Sequence, residues 1–179
     1  MTSTVDLLAP VVEVDHLRGA ANARVTIVEY GDFECPICRA VEPGVRMVLD
    51  QWPRDVRLVF RHFPIESAHP HALLAAEATE AAAAQGKFWP MHDALLQTDS
   101  RLNRKALDGY AESMGLDMPL FRASLDDEIY RQRVREQMDG ALRSHVRATP
   151  AFYVNGRVCD VSGGVHALAD RVKALIVLT

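Results

Sequence analysis

Lysine and cysteine are the scarce residues of this chain. Lysine occurs only at Lys87, Lys105 and Lys173, so arginine supplies the rest of the positive charge. Acidic residues outnumber basic ones and the formal net charge is −4. Nucleic acid and anionic membrane surfaces are therefore not expected as partners. The shortage of lysine, with the many alanines, fits a GC-rich bacterial genome. No segment approaches the roughly 18 apolar residues that signal a membrane span. The amino terminus, "MTSTVDLLAPVVEVDHLRG", has no Lys or Arg before Arg18 and no apolar stretch of secretory-signal length. A cytoplasmic location is the expectation that follows. Cysteine appears three times, as Cys35, Cys38 and Cys159, and an odd count argues against a secreted disulfide framework. Internal repeats are missing, and low complexity is confined to Ala81–Ala84.

What is present reads as one α/β domain carrying a helical insertion. At 179 residues the chain can bury a sizeable core. The run "VTIVEY" (Val25–Tyr30) is a short β-rich segment stopped by Gly31, as a buried strand would be. After it, Val41, Val45, Val48, Leu49 and Trp52 recur at helical spacing, so "CPIC" opens a helix. Pro36 suits that opening, because its missing amide would be unpaired there anyway. Pro43 falls inside the helix and should kink it near Arg39. "VRLVFRHF" (Val56–Phe63) makes a second strand, completing a parallel β-α-β unit.

From Ser67 to about Val146 the signals are helical. They comprise Ala72–Gln85, a short helix opened by Pro90, a face of Leu102, Ala106, Leu107, Tyr110 and Met114, and a last helix carrying Ile129 to His145. Phe88-Trp89 reads as core of this insertion, not as a cofactor box. "TPAFYVNGRVCDV" then forms a hairpin around Asn155-Gly156, the dipeptide favoured in type I′ turns. An amphipathic helix through Val165, Leu168, Val172, Leu175 and Ile176 closes the chain. The expected divisions are 1–66, a helical insertion at 67–147, and 148–179.

Cys35 and Cys38 carry the chemistry. A thiolate attacks disulfides, and helix amides carrying about half a positive charge lower the pKa of a cysteine placed among them. Cys35, just ahead of Pro36, has that position. Cys38, one turn inside, is less accessible and reaches back over Cys35, so it can attack a mixed disulfide and release the substrate. Zinc is the rival use of such a pair. It would need two further ligands, and no second CxxC or HxxxH accompanies this one. Cys159, opposite Phe152 on the hairpin, reads as a small buried hydrophobe. His62, His69, His71 and His92 read as packing or solvated residues.

The stretches "VTIVEYGDFECPIC", "FRHFP", "HPHALLAAEA", "QGKFWPMHDAL" and "TPAFYVNG" resemble the DsbA-like branch of the thioredoxin superfamily. They are most similar to its cytosolic and antiporter-associated bacterial members. The resemblance implies a thioredoxin fold with a helical insertion between its β-α-β half and its C-terminal hairpin and helix. It implies thiol–disulfide exchange, with a disulfide-bearing protein or small-thiol substrate and a separate redox partner. No metal or organic cofactor is implied, because the Cys35–Cys38 pair holds the electrons, and a monomer is favoured.

Thr149-Pro150 matches the family's cis-proline, beside which a substrate strand docks through its backbone. Glu29 matches a buried acid under the active site, able to relay the proton of Cys38. Phe33 and Glu34 would line the approach to Cys35, and Phe33 would join Pro36 and Ile37 in an apolar docking surface. Ile37 stands where strongly oxidising members carry histidine, and isoleucine cannot donate to the thiolate. The potential is therefore expected between about −120 mV for DsbA and about −270 mV for thioredoxin. Two other readings stay open: a non-catalytic thioredoxin-like binding or redox-sensing module, and a glutathione-dependent isomerase or transferase on the same fold. Relatives of the latter kind tend to carry serine at the nucleophile.

Overall fold

A computed structural model describes residues 6–177 of the chain. Its elements are β1 (His16–Gly19), β2 (Val25–Gly31), α1 (Pro36–Gln51), β3 (Val56–His62), α2 (Ala72–Ala83), α3 (Phe88–Leu96), α4 (Arg104–Ser113), α5 (Met118–Asp126), α6 (Arg131–Arg143), β4 (Ala151–Val154), β5 (Arg157–Cys159) and α7 (His166–Val177). The strands form one sheet in the order β1-β3-β2-β4-β5. β2 and β3 run parallel, as a β-α-β crossover requires, and the other pairings are antiparallel.

Strand alternation divides the core. Ile27 faces α1 and α7, packing with Val45, Val48, Leu168 and Val172. Its neighbours Val28 and Tyr30 take the other face with Ala141 of α6. A third cluster fills the helical insertion and runs into Phe33, Cys35, Cys38 and Phe60. The cysteine pair thus lies where the insertion core meets the sheet. Glu29, an even step from Ile27, faces the α1 side. Close packing of α7 on α1 depends on Gly44, where a Cβ would come within 2.2 Å of Val165.

The hairpin has the expected register, with Phe152 opposite Cys159 and Val154 opposite Arg157. Its turn residues Asn155 and Gly156 both have positive φ, 47° and 76°, as a type I′ turn demands.

Several elements differ from the sequence reading. β1 was not foreseen, because four residues pairing through their backbone at a sheet edge leave little side-chain signature. α5 was also missed, although Asp117 caps it by accepting from the Leu120 amide and Pro119 suits its first turn. α3 begins at Phe88, which places Pro90 in the first turn. α6 begins at Arg131, leaving Ile129 exposed outside it, and His145 has left-handed backbone (φ 64°) beyond its end. Pro43 lies inside α1, as read from the sequence, and removes an amide without ending the helix.

Candidate active site

The site is assembled at the sheet end of α1. Cys35 is the N-cap, in extended backbone (φ −69°, ψ 119°), with Pro36 opening the helix. The Arg39 amide donates to the Cys35 carbonyl at 3.2 Å, completing the first turn. The Cys35 sulfur is left among the unpaired amides of that turn. It also lies 3.3 Å from the Thr149 carbonyl oxygen, to which its neutral thiol donates. The Thr149-Pro150 peptide is cis.

These neighbours separate the two thiols electrostatically. Cys35 is lowered to about 5, chiefly by the Cys38 thiol donating to it, with the Thr149 hydroxyl and the Cys38 and Ile37 amides adding to the effect against the cost of burial. The Thr149 hydroxyl is buried with no partner in the neutral-thiol geometry, so it is free to turn toward a thiolate. Cys38 moves the opposite way, far up. Burial is the main cause, followed by the bond to Cys35 and the negative charge of Glu29. At neutral pH one sulfur is therefore ionised and its neighbour keeps its proton.

Glu29 is 1% exposed. It pairs with Phe60 on one side and Phe152 on the other. Burial raises its pKa well above the usual carboxylate range, and the charges of Glu42 and Cys35 add to the shift. Its Oε2 has no hydrogen-bond partner among the described residues.

The loop ahead of Cys35 is held by Asp32. This buried carboxylate accepts from the Glu34 amide at 2.8 Å, the Ile65 amide at 2.8 Å and His69 Nδ1 at 2.7 Å. Glu34 in turn accepts from the His71 amide at 2.7 Å, and Arg39 Nε donates to the Phe33 carbonyl at 3.0 Å. Asp32 did not stand out in the sequence, because its three donors lie in separate segments.

Phe33 corrects the sequence reading. It is 1% exposed, stacked on Phe60 with centroids 5.4 Å apart and edge-on to His92 at 5.8 Å. An aromatic of that size is worth more in the core than at the surface, so Phe33 supports the loop from beneath and is not a docking contact. Pro36 and Ile37 are exposed beside the sulfur. Ile37, Thr149, Pro150, Phe152, Val158 and Val161 line a groove of about 740 Å³. Cys159, on the same wall, has its thiol raised by burial.

Among the described residues two clusters bring metal-ligating atoms together: His16, His62 and Glu80, and Glu42, His92 and Asp93. Neither includes a cysteine. In the first, Glu80 Oε1 accepts from His16 (2.8 Å) and His62 (3.1 Å), while Oε2 accepts from Arg133 (2.8 Å). That carboxylate is already saturated by cations and donors. His62 and His92, read from sequence as packing or solvated, are both buried and belong to these clusters.

Known proteins give the same outline. The thioredoxin family model matches residues 12–174. A Na(+)/H(+) antiporter NhaA 1 of Salinispora arenicola is 47% identical over 171 residues, 95% of this chain and 26% of that protein. The chain thus spans about a quarter of the length of such curated relatives, and among the described residues no helix is long and apolar enough to cross a membrane. The crystal structure of a thioredoxin-like oxidoreductase from Silicibacter pomeroyi superposes with a TM-score of 0.80 at 28% identity, covering 90% of this chain and 91% of that one. Oxidised BdbD from Bacillus subtilis shares the fold, with a TM-score of 0.77 at 24% identity, covering 89% and 91%.

Proposed function

Since this chain belongs to the thioredoxin superfamily, in its branch of DsbA-like thiol–disulfide oxidoreductases, we propose that it exchanges disulfides through Cys35 and Cys38. The observation that carries this reading is the opposed pair of thiols: Cys35 held near 5 at the start of α1, and Cys38 kept protonated and buried behind it. In the reductive direction the Cys35 thiolate attacks a substrate disulfide and forms a mixed disulfide, and one substrate thiolate leaves. Cys38 then gives up its proton and attacks Cys35. The mixed bond breaks, the second substrate thiol departs, and the protein holds a Cys35–Cys38 disulfide. Two electrons pass to the substrate, and the oxidative direction is the reverse. No further cofactor is needed, and a separate thiol or disulfide partner resets the pair.

The groove beside Thr149 and Pro150 suits an extended segment paired through its backbone, with Pro36 and Ile37 as the exposed apolar contacts and tolerance of substrate sequence. A Cys35 pKa near 5 falls between the ~3.5 of DsbA and the ~7 of thioredoxin. That supports a potential between about −120 and −270 mV, which equilibration against glutathione buffers measures.

Turnover tests the function. The protein should repeatedly reduce insulin or oxidise a dithiol peptide, Cys35→Ser should abolish both, and Cys38→Ser should hold substrate covalently on Cys35. Binding without turnover would assign it to the non-catalytic modules, and activity strictly on glutathione conjugates to the transferases.

A further inference from the structure

Among the described residues Glu29 Oε2, Glu42 Oε2 and His92 Nε2 are buried with neither a hydrogen-bond nor an ion-pair partner. Orphans of this kind are rare and call for an explanation. Glu29 lies on the face of β2 that packs on α1, where Cys38 and Glu42 are one turn apart. Glu29 acts on Cys38 through its charge, and Glu42 acts on Glu29. Glu42, one turn beyond Cys38 on α1, has a ligating atom within 4.8 Å of one on His92 and one on Asp93 of α3. Glu42 also borders a surface groove of about 600 Å³ lined by Pro36, Arg39, Ala40 and Arg46.

Tautomer chemistry sharpens the picture. His92 Nδ1 lies 2.9 Å from Asp93 Oδ1, a carboxylate oxygen that can only accept, so Nδ1 carries the proton. His92 Nε2 is then a bare acceptor, and Glu42, whose Oε2 is also unpartnered, has a ligating atom within 4.8 Å of one on His92. Two neighbouring acceptors are satisfied together by a proton between them, by a water donating to both, or by a cation. A metal cation is the poorer occupant. Asp93 is already paired with Arg18, whose Nη2 reaches both its oxygens at 2.9 and 2.8 Å, and with Arg46 at 2.8 Å. Arg46 Nε also donates to Glu42 Oε1 at 2.8 Å. The ionisable groups facing His92 are thus Glu42 and Arg46 from α1, Arg18 from β1, and its own neighbour Asp93.

We propose that Glu42 and His92 hold a labile proton or bridging water that connects Glu29, and through it Cys38, to solvent in the Arg46 groove. The inference rests on the exchange chemistry proposed above. When Cys38 attacks the mixed disulfide its proton passes to the Glu29 carboxylate. Glu29 hands a proton on to the Glu42–His92 pair, and Glu42, which borders the groove, releases one to solvent. Glu42 and His92 touch neither substrate nor sulfur; they are positioning residues for the proton.

Ellman's reagent resolves the two halves of the reaction in one trace. Cys35 releases the first thionitrobenzoate by attack, and Cys38 releases the second by resolving the mixed disulfide. Glu42→Gln keeps an acceptor for Arg46 but cannot carry a proton. His92→Asn keeps the donor to Asp93 but removes Nε2. In both variants the first phase should keep its midpoint near pH 5. The second should slow by about tenfold at neutral pH and rejoin the wild-type rate in strong alkali, where hydroxide deprotonates Cys38 directly. A role in packing alone would lower the unfolding midpoint and leave the second-phase pH profile unchanged, which would overturn the proposal. If His92→Asn does not fold, Glu42→Gln decides. If both variants fold and only Glu42→Gln shifts the profile, the proposal of a shared Glu42–His92 proton is overturned. A wild-type protein that releases no second equivalent would instead defeat the exchange reading itself.

Discussion

The Cys35 sulfur lies 3.3 Å from the carbonyl oxygen of Thr149, a residue 114 positions further along the chain. The helix that activates the sulfur and the turn that would present a substrate backbone are therefore in direct contact. On the proposed function, chemistry and docking share one point in space, and substitutions on either side should be felt by the same thiolate.

The first expectation concerns that thiolate. Alkylation of Cys35 by iodoacetamide should follow a titration with midpoint about 5. Because the Cys38 thiol is the largest stabilising contact, Cys38→Ala should raise the midpoint more than any other single change around the sulfur. Thiolate absorbance near the ultraviolet edge gives the same titration independently. Thr149→Val, which removes only the hydroxyl, should also raise the midpoint, by less than Cys38→Ala does.

Glu29 makes a pH-dependent contribution of known sign. Its folded pKa is raised, so the stability it gives is complete below its unfolded pKa and is lost as pH rises through the folded value. Glu29→Gln should match the wild type in acid and exceed it at neutral pH, by roughly 1.4 kcal/mol for each unit of the shift. Urea unfolding of the reduced protein across that range checks it. The same variant should slow resolution by Cys38, separating stability from activity.

Reduced Cys35 contributes in the opposite sense. Its folded pKa is depressed to about 5, so its stabilisation is present above the unfolded value, ~8.5, and drains away as pH falls through 5. Reduced wild type should therefore lose stability relative to Cys35→Ala over that interval. A constant difference between the two, followed by urea midpoint, would contradict it.

Glu80 ties β1, β3 and α6 to α2 by accepting from His16, His62 and Arg133. Replacing it with alanine strands buried donors and a cation, at a cost of about 3–5 kcal/mol. Thermal unfolding should show the loss, while the alkylation midpoint of Cys35 stays put.

Phe33→Ala should cost about 3–5 kcal/mol as a core truncation. Substrate preference measured by kcat/KM across apolar and polar peptides should not change, as it would if the ring were a docking contact. Ile37→Ser, on the exposed side, should do the reverse.

Legibility in the sequence followed the range of the interaction. A strand running into "CPIC", a helix opened by Pro36, a turn at Asn155-Gly156 and the stripe of α7 each depend on residues within a few positions. Backbone preference and hydrophobic period report those directly. Glu29 was placed by the family resemblance; the strand pattern by itself also allows a solvent-facing glutamate there, and packing decides that it is buried. β1 was not, because four backbone-paired residues carry almost no pattern. Phe33 was misplaced because its position beside the cysteines suggests the surface, whereas its fate is set by Phe60 and His92 arriving from other elements.

The amino-acid order by itself determined which sulfur sits at a helix start and which lies one turn inside, because that follows from local geometry alone. Only the tertiary structure decided that the sulfur meets Thr149, that Asp32 finds three donors, and that Glu42 of α1 meets His92 and Asp93 of α3. Those contacts join residues far apart in the chain. Their partners are chosen by which faces of sheet and helices can close together without voids, and no short stretch of sequence contains that information.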